Sequence, residues 1–77
     1  MFLLEVGVSS GMLDLCYQFE GFYSEGRGLT PNSDSATILS TPEDVTVIAS
    51  DFKANRKTVK VWRVLEDMEG KRLLAPY

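Results

Sequence analysis

The sequence predicts an α+β domain: a mostly antiparallel sheet of about five strands with one helix, about residues 42–54, packed on one face. Three observations lead there. Thr41, Pro42, Glu43 and Asp44 have the order of a helix start. A threonine hydroxyl accepts from a first-turn N–H, proline needs no N–H at the first helical position, and acids suit the positive end of the helix dipole. Val45, Ile48, Ala49 and Phe52 then fall at i, i+3, i+4 and i+7, one apolar stripe. Residues 57–65 follow, rich in the β-branched and aromatic types that suit a pleated sheet. Lys53, Arg56 and Lys57 place positive charge at the helix's far end, where Asn55 suits a left-handed cap. The competing architecture is a small all-β barrel in which residues 44–52 form a strand, because Val45, Thr46, Val47 and Ile48 are mostly β-branched.

The remaining elements follow in chain order. Residues 2–8 are apolar and end at Ser9, Ser10 and Gly11, which reads as a strand and a turn. Residues 12–23 read as the second strand, with Leu13, Leu15, Tyr17, Phe19 and Tyr23 on one face and Asp14, Gln18 and Glu20 on the other. A helical stripe of Met12, Leu15, Cys16, Phe19, Phe22 and Tyr23 is the alternative; aromatic enrichment and Gly21 favour the strand. Residues 24–35 carry the marks of one long flexible loop, and residues 36–39 those of a short strand leading to the helix. In residues 57–65, Val59, Val61 and Leu65 share a face with Arg63, while Trp62 and Val64 share the other with Thr58 and Lys60. Either both faces are partly covered or a bulge near Val61 and Trp62 switches the phase. Residues 67–70 read as a hairpin turn with Gly70 at positive φ, and residues 72–75 as the last strand, with Pro76 at its end or edge. All 77 residues form one domain.

Composition excludes several chemistries. The chain has no histidine and one cysteine, Cys16, so neither a zinc site nor a cysteine–histidine nucleophile can be assembled, and no internal disulfide can form. Cys16 lies in an apolar stretch, where a buried, inert thiol is expected. Glu43 and Asp44 are explained by the helix start, and Glu66, Asp67 and Glu69 by a solvated turn. Gly26, Arg27 and Gly28 lack the glycine spacing and the Lys-Ser/Thr pair of a phosphate loop. No enzyme, cofactor or metal is therefore expected. The apolar start is too short for a leader and contains Glu5, and no run approaches the ~18 apolar residues of a membrane span. With the single cysteine, these features point to the cytoplasm.

What remains is binding. Residues 1–52 contain eight acids and one base (1 − 8 = −7), and residues 53–77 seven bases and three acids (7 − 3 = +4), recovering the net −3. Trp62 is the foremost partner-binding candidate, since tryptophan and arginine are enriched at interface hot spots. Lys60 and Arg63 flank it, and Arg27 and Glu25 stand out in the 24–35 loop. The expected partner is another protein, and an open sheet edge offers a route to homo-oligomers. Nucleic acid is the alternative partner: Lys53, Arg56, Lys57, Lys60 and Arg63 around Trp62 combine positive charge with an aromatic. Glu20, Glu25 and Asp34 suggest a third surface, carboxylates presented where a nucleic-acid-binding protein expects phosphates. A short acidic chain without catalytic residues is similar in type to small phage- or plasmid-encoded inhibitors of host or defence proteins. That likeness implies an inhibitor or adaptor.

Overall fold

The computed structural model describes residues 1–11 and 16–77. Among these described residues the expected class is present: one open antiparallel sheet of five strands and one α-helix. In chain order the elements are β1 (Phe2–Ser10), β2 (Cys16–Ser24), β3 (Gly28–Thr30), α1 (Pro42–Ala54), β4 (Thr58–Glu66) and β5 (Arg72–Pro76), with a 3-10 turn at Ser33–Ser35. Across the sheet the order is β3-β2-β1-β4-β5. The first strand is thus central, and it supplies the residues with no exposed surface: Leu3, Leu4 and Val6.

The helix forms as its end signals require. Thr41 Oγ1 accepts from the Asp44 N–H at 3.2 Å, and Pro42 opens the helix. Val45, Ile48 and Ala49 pack with Leu4, Leu39, Val59 and Val61 in the main core, while the Phe52 ring meets Tyr23 edge-on, centroids 6.0 Å apart. Docking of this stripe overrides the strand propensity of residues 45–48, so the barrel alternative is excluded. The left-handed residue is Arg56 (φ 63) rather than the expected Asn55 (φ −95). Asn55 remains in the last turn, donating its side-chain amide to the Asp51 carbonyl, so the chain reverses one residue later.

Several boundaries differ from expectation, each for a visible reason. β1 runs on to Ser10 and pairs it with Cys16, so Ser9 and Ser10 belong to the strand rather than to a turn. The expected start of the second strand at residue 12, including Leu13, Asp14 and Leu15, lies outside the described residues. Cys16 is exposed rather than buried, because it sits at the far end of the hairpin, away from the core. Of the two alternatives for β4, partial cover on both faces holds, and the bulge lies instead between β1 and β2. Val6 pairs with Gly21 but Gly7 pairs with Phe19, leaving Glu20 as an extra residue. This bulge turns Phe22 to the side of Tyr17 and Phe19 and sends Tyr23 to the helix side, against the simple alternation. β4 itself keeps an unbroken register with β1, with side chains partly covered on both faces.

Residues 24–35 are not one loop. They contain the edge strand β3 and the 3-10 turn, which Asn32 caps by accepting from the Asp34 N–H at 2.9 Å. Residues 36–39, expected as a strand, make only one bridge, Leu39 to Phe2, with two bonds of 2.8 Å. Arg72 Nη1 donates to the Ser33 and Ala36 carbonyls at 2.6 and 3.1 Å, fastening this segment to the start of β5. That places a second, smaller cover on the helix-free side. There Leu3 is fully buried and Ser24, Thr30 and Ala36 nearly so.

Candidate partner-binding face

The cover leaves the other half of the helix-free face open, and this half is built around an acid in an apolar strand. Glu5 lies between fully buried or nearly buried neighbours, and strand alternation turns it away from the helix with Leu3 and Gly7. Its carboxylate is held from both sides. Trp62 Nε1–H donates to Oε1 at 3.0 Å, and the Tyr17 hydroxyl donates to Oε2 at 2.6 Å. Both donors belong to aromatic side chains that would otherwise have a polar tip on an apolar surface. The carboxylate therefore ties together two aromatic side chains, one from each neighbouring strand.

Gly7 makes this geometry possible. Tyr17 pairs with Ser9, so its ring must pass across Gly7 to reach Glu5. A Cβ at Gly7 would stand 2.5 Å from Tyr17 Cε2 and 2.5 Å from the Gln18 carbonyl oxygen, well inside contact distance. Lys60 pairs directly with Glu5, yet its ammonium sits over the Tyr17 ring, 3.9 Å from the centroid. The Phe19 and Phe22 rings meet edge-to-face at 5.2 Å beside them. The surface is thus Tyr17, Phe19, Phe22 and Trp62, with one cation above and one carboxylate beneath. Phe19 is the most open of its large apolar side chains, 45% exposed. Burial first, then the Glu5 hydrogen bond and charge, raise the Tyr17 hydroxyl above the usual phenol range.

The residues expected to bind a partner are only partly brought together. Trp62 and Lys60 share the open face. Arg63 points to the helix side, opposite Phe2 and Ala75. Arg27 and Glu25 occupy the β2–β3 turn, where the Arg27 N–H donates to Ser24 O and the Glu25 N–H to Thr37 Oγ1. The basic segment is also divided: Lys57 is engaged by Glu20 at 2.8 Å, which removes one acid and one base from the free surface. Lys53 and Arg56 lie at the end of the helix. Sequence reasoning missed Glu5, Gly7 and Tyr17, although an acid inside an apolar strand was a visible signal.

Among the described residues, no group of three or more His, Cys, Asp or Glu side chains is placed to hold a metal. A cleft of about 100 Å³ lies between the start of α1 and the end of β5, lined by Phe2, Pro42, Val45, Thr46, Val61 and Tyr77. It falls below the roughly 300–1,000 Å³ typical of small-molecule sites. Among the described residues, no helix is long and apolar enough to cross a membrane. Compared with protein-family models, curated proteins and solved structures, the chain matches none.

Proposed function

We propose that the chain is a non-enzymatic protein-binding module, an inhibitor or adaptor in the cytosol, that engages its partner through the open helix-free face. The observation that carries this reading is the contiguous surface of Tyr17, Phe19, Phe22 and Trp62, held by Glu5 and topped by Lys60. Aromatic rings on a rigid sheet give large contact area with little side-chain entropy to lose. Lys60 favours a partner that brings a carboxylate next to an apolar side chain. The test is retention from a lysate of the cells that make the protein, with wild type, Phe19→Ser, Lys60→Glu and Val47→Ser compared under nuclease treatment. Val47 is an exposed apolar residue of α1 and serves as control. Loss of one retained protein with the Phe19 and Lys60 variants, but not with Val47→Ser, supports the face. Equal retention by all four refutes it.

A second reading, single-stranded nucleic acid, is favoured by the Lys60 ammonium above the Tyr17 ring, a cation beside an aromatic on which a base could stack. Against it stand the Glu5 carboxylate at the centre of the face and the division of the basic segment between two sides. Retention on single-stranded DNA or RNA that falls steeply with salt, and disappears in Lys60→Glu, would decide for this reading.

A further inference from the structure

The two edges of the sheet differ. β3 is three residues long, whereas β5 is five and pairs with β4 along its whole length. Short edge strands and bulges are two of the ways proteins avoid unwanted pairing: β3 covers β2 only at Phe22–Ser24, and the Glu20 bulge interrupts the uncovered part of β2, whereas β5 is regular along its whole length. Among the described residues, nothing pairs with the outer side of β5.

Hydrogen-bond alternation shows which β5 groups face outward. The Val64 N–H donates to Met1 O, and the Asp67 N–H donates to Lys71 O. Even-numbered β4 residues thus bond to β1 and odd-numbered ones to β5. On β5, residues 71, 73, 75 and 77 turn their main chain toward β4, while Arg72, Leu74 and Pro76 turn theirs outward. The free edge therefore offers two N–H groups, from Arg72 and Leu74, and three carbonyls. Pro76 contributes a carbonyl but no donor.

We propose that β5 pairs antiparallel with β5 of a second copy of this chain, about a two-fold axis at Leu74. In that register Leu74 meets Leu74 of the other copy and exchanges two hydrogen bonds with it. Arg72 lies opposite Pro76, so each Arg72 N–H donates to a Pro76 carbonyl where no competing donor exists. Every free edge donor is then satisfied, with four bonds in all, and the two five-residue strands overlap completely. The axis is perpendicular to the sheet, so both helices lie on the same face of a ten-stranded sheet.

The side chains fit a second copy. On the helix side, Leu65 and Leu73 are 47% and 49% exposed, and Tyr77, whose ring meets Phe2 edge-on, is 73% exposed. Across the axis Leu73 meets Ala75 and Tyr77 meets Lys71, joining the two apolar stripes into one. No like charges face each other. Residues 63–77 carry three bases (Arg63, Lys71, Arg72) and three acids (Glu66, Asp67, Glu69), 3 − 3 = 0, so this end of the molecule carries no net repulsion despite the overall −3. The contact is small, which places it among weak, concentration-dependent associations. It is separate from the aromatic face and leaves that face free.

The test is sedimentation of the full chain from about 1 to about 500 µM, bracketing the micromolar range expected for so small an interface. It is paired with residue-resolved amide exchange at the two extremes. The expected result is a mass rising from one copy toward two, with slowing of the Arg72 and Leu74 amides at high concentration. Leu73→Lys should weaken association at least about tenfold while retaining the far-UV spectrum of the wild type, since like charge and lost apolar contact fall near the axis. A single copy at every concentration would overturn the proposal and leave the edge to another protein's strand. A dimer in which Arg72 and Leu74 stay as fast-exchanging as in the monomer would overturn it too, as would undiminished association of Leu73→Lys.

Discussion

Replacing Glu5 tests whether the acid holds the aromatic face together. Glu5→Ala leaves the Trp62 N–H and the Tyr17 O–H without their acceptor. A hydrogen bond to a charged group is worth about 1.5–3 kcal/mol where water is excluded. Both donors here are only partly buried, and water can take up part of the loss, so about 2 kcal/mol for the pair is the expected cost. For a domain of this size each kcal/mol moves Tm by about 4–8 °C, giving a fall of about 8–16 °C. Glu5→Gln should cost roughly half as much. Its amide oxygen can still accept from Trp62, and its NH₂ can donate to the Tyr17 oxygen, so the geometry survives with the charge removed. Trp62 is the single tryptophan, and its emission reads the site directly. Urea unfolding followed by that emission should rank wild type, Gln and Ala in that order, with the Ala spectrum shifted to the red. If Glu5→Ala lies within about 0.5 kcal/mol of wild type with an unchanged emission maximum, the carboxylate does not organise the face.

Other expectations follow from neighbouring features. Gly7→Ala drives a methyl into the Tyr17 ring and the Gln18 carbonyl; a loss of about 1–3 kcal/mol is expected, and thermal melts that match wild type would contradict the close approach. Tyr17 is raised by burial and by Glu5, so its contribution to stability is fully present below about pH 10 and is lost as pH climbs above that value. Phenolate absorbance should show that the component missing in Tyr17→Phe is a late-ionising one, and the variant's stability should fall less above pH 10. Thr41→Ala removes the acceptor for the Asp44 N–H and should cost about 1 kcal/mol by far-UV melting, whereas an unchanged melt would mean the cap is dispensable.

The helix was legible because its signals are local: Thr41, Pro42, Glu43 and the Val45–Ile48–Ala49 stripe act within a few residues of one another. The β4–β5 hairpin was legible for the same reason, with Gly70 at φ 79 and Asp67 accepting from the Glu69 and Lys71 amides. The site was not, because its parts lie far apart in the chain. Glu5 and Trp62 are separated by 57 positions and meet only through the β1–β4 register. The bulge at Glu20 was equally hidden, since it comes from how β2 pairs with β1 rather than from its own alternation, and it decides that Phe22 rather than Tyr23 joins the face. Trp62 was singled out because tryptophan is enriched at interface hot spots, and Lys60 because it lies beside it on the same strand; both sit on the open face. Arg63, adjacent in sequence, was assigned with them and lies on the opposite side.

The central claim is that the open helix-free face is where a partner protein docks. Its most direct measurement is site-specific photo-crosslinking in the producing cells, with a photoreactive residue at position 19 on the face or at position 47 on the outer side of α1. The account predicts one discrete, nuclease-resistant protein adduct from position 19, and none from position 47. Adducts of the same protein from both positions, or from position 47 alone, would contradict it.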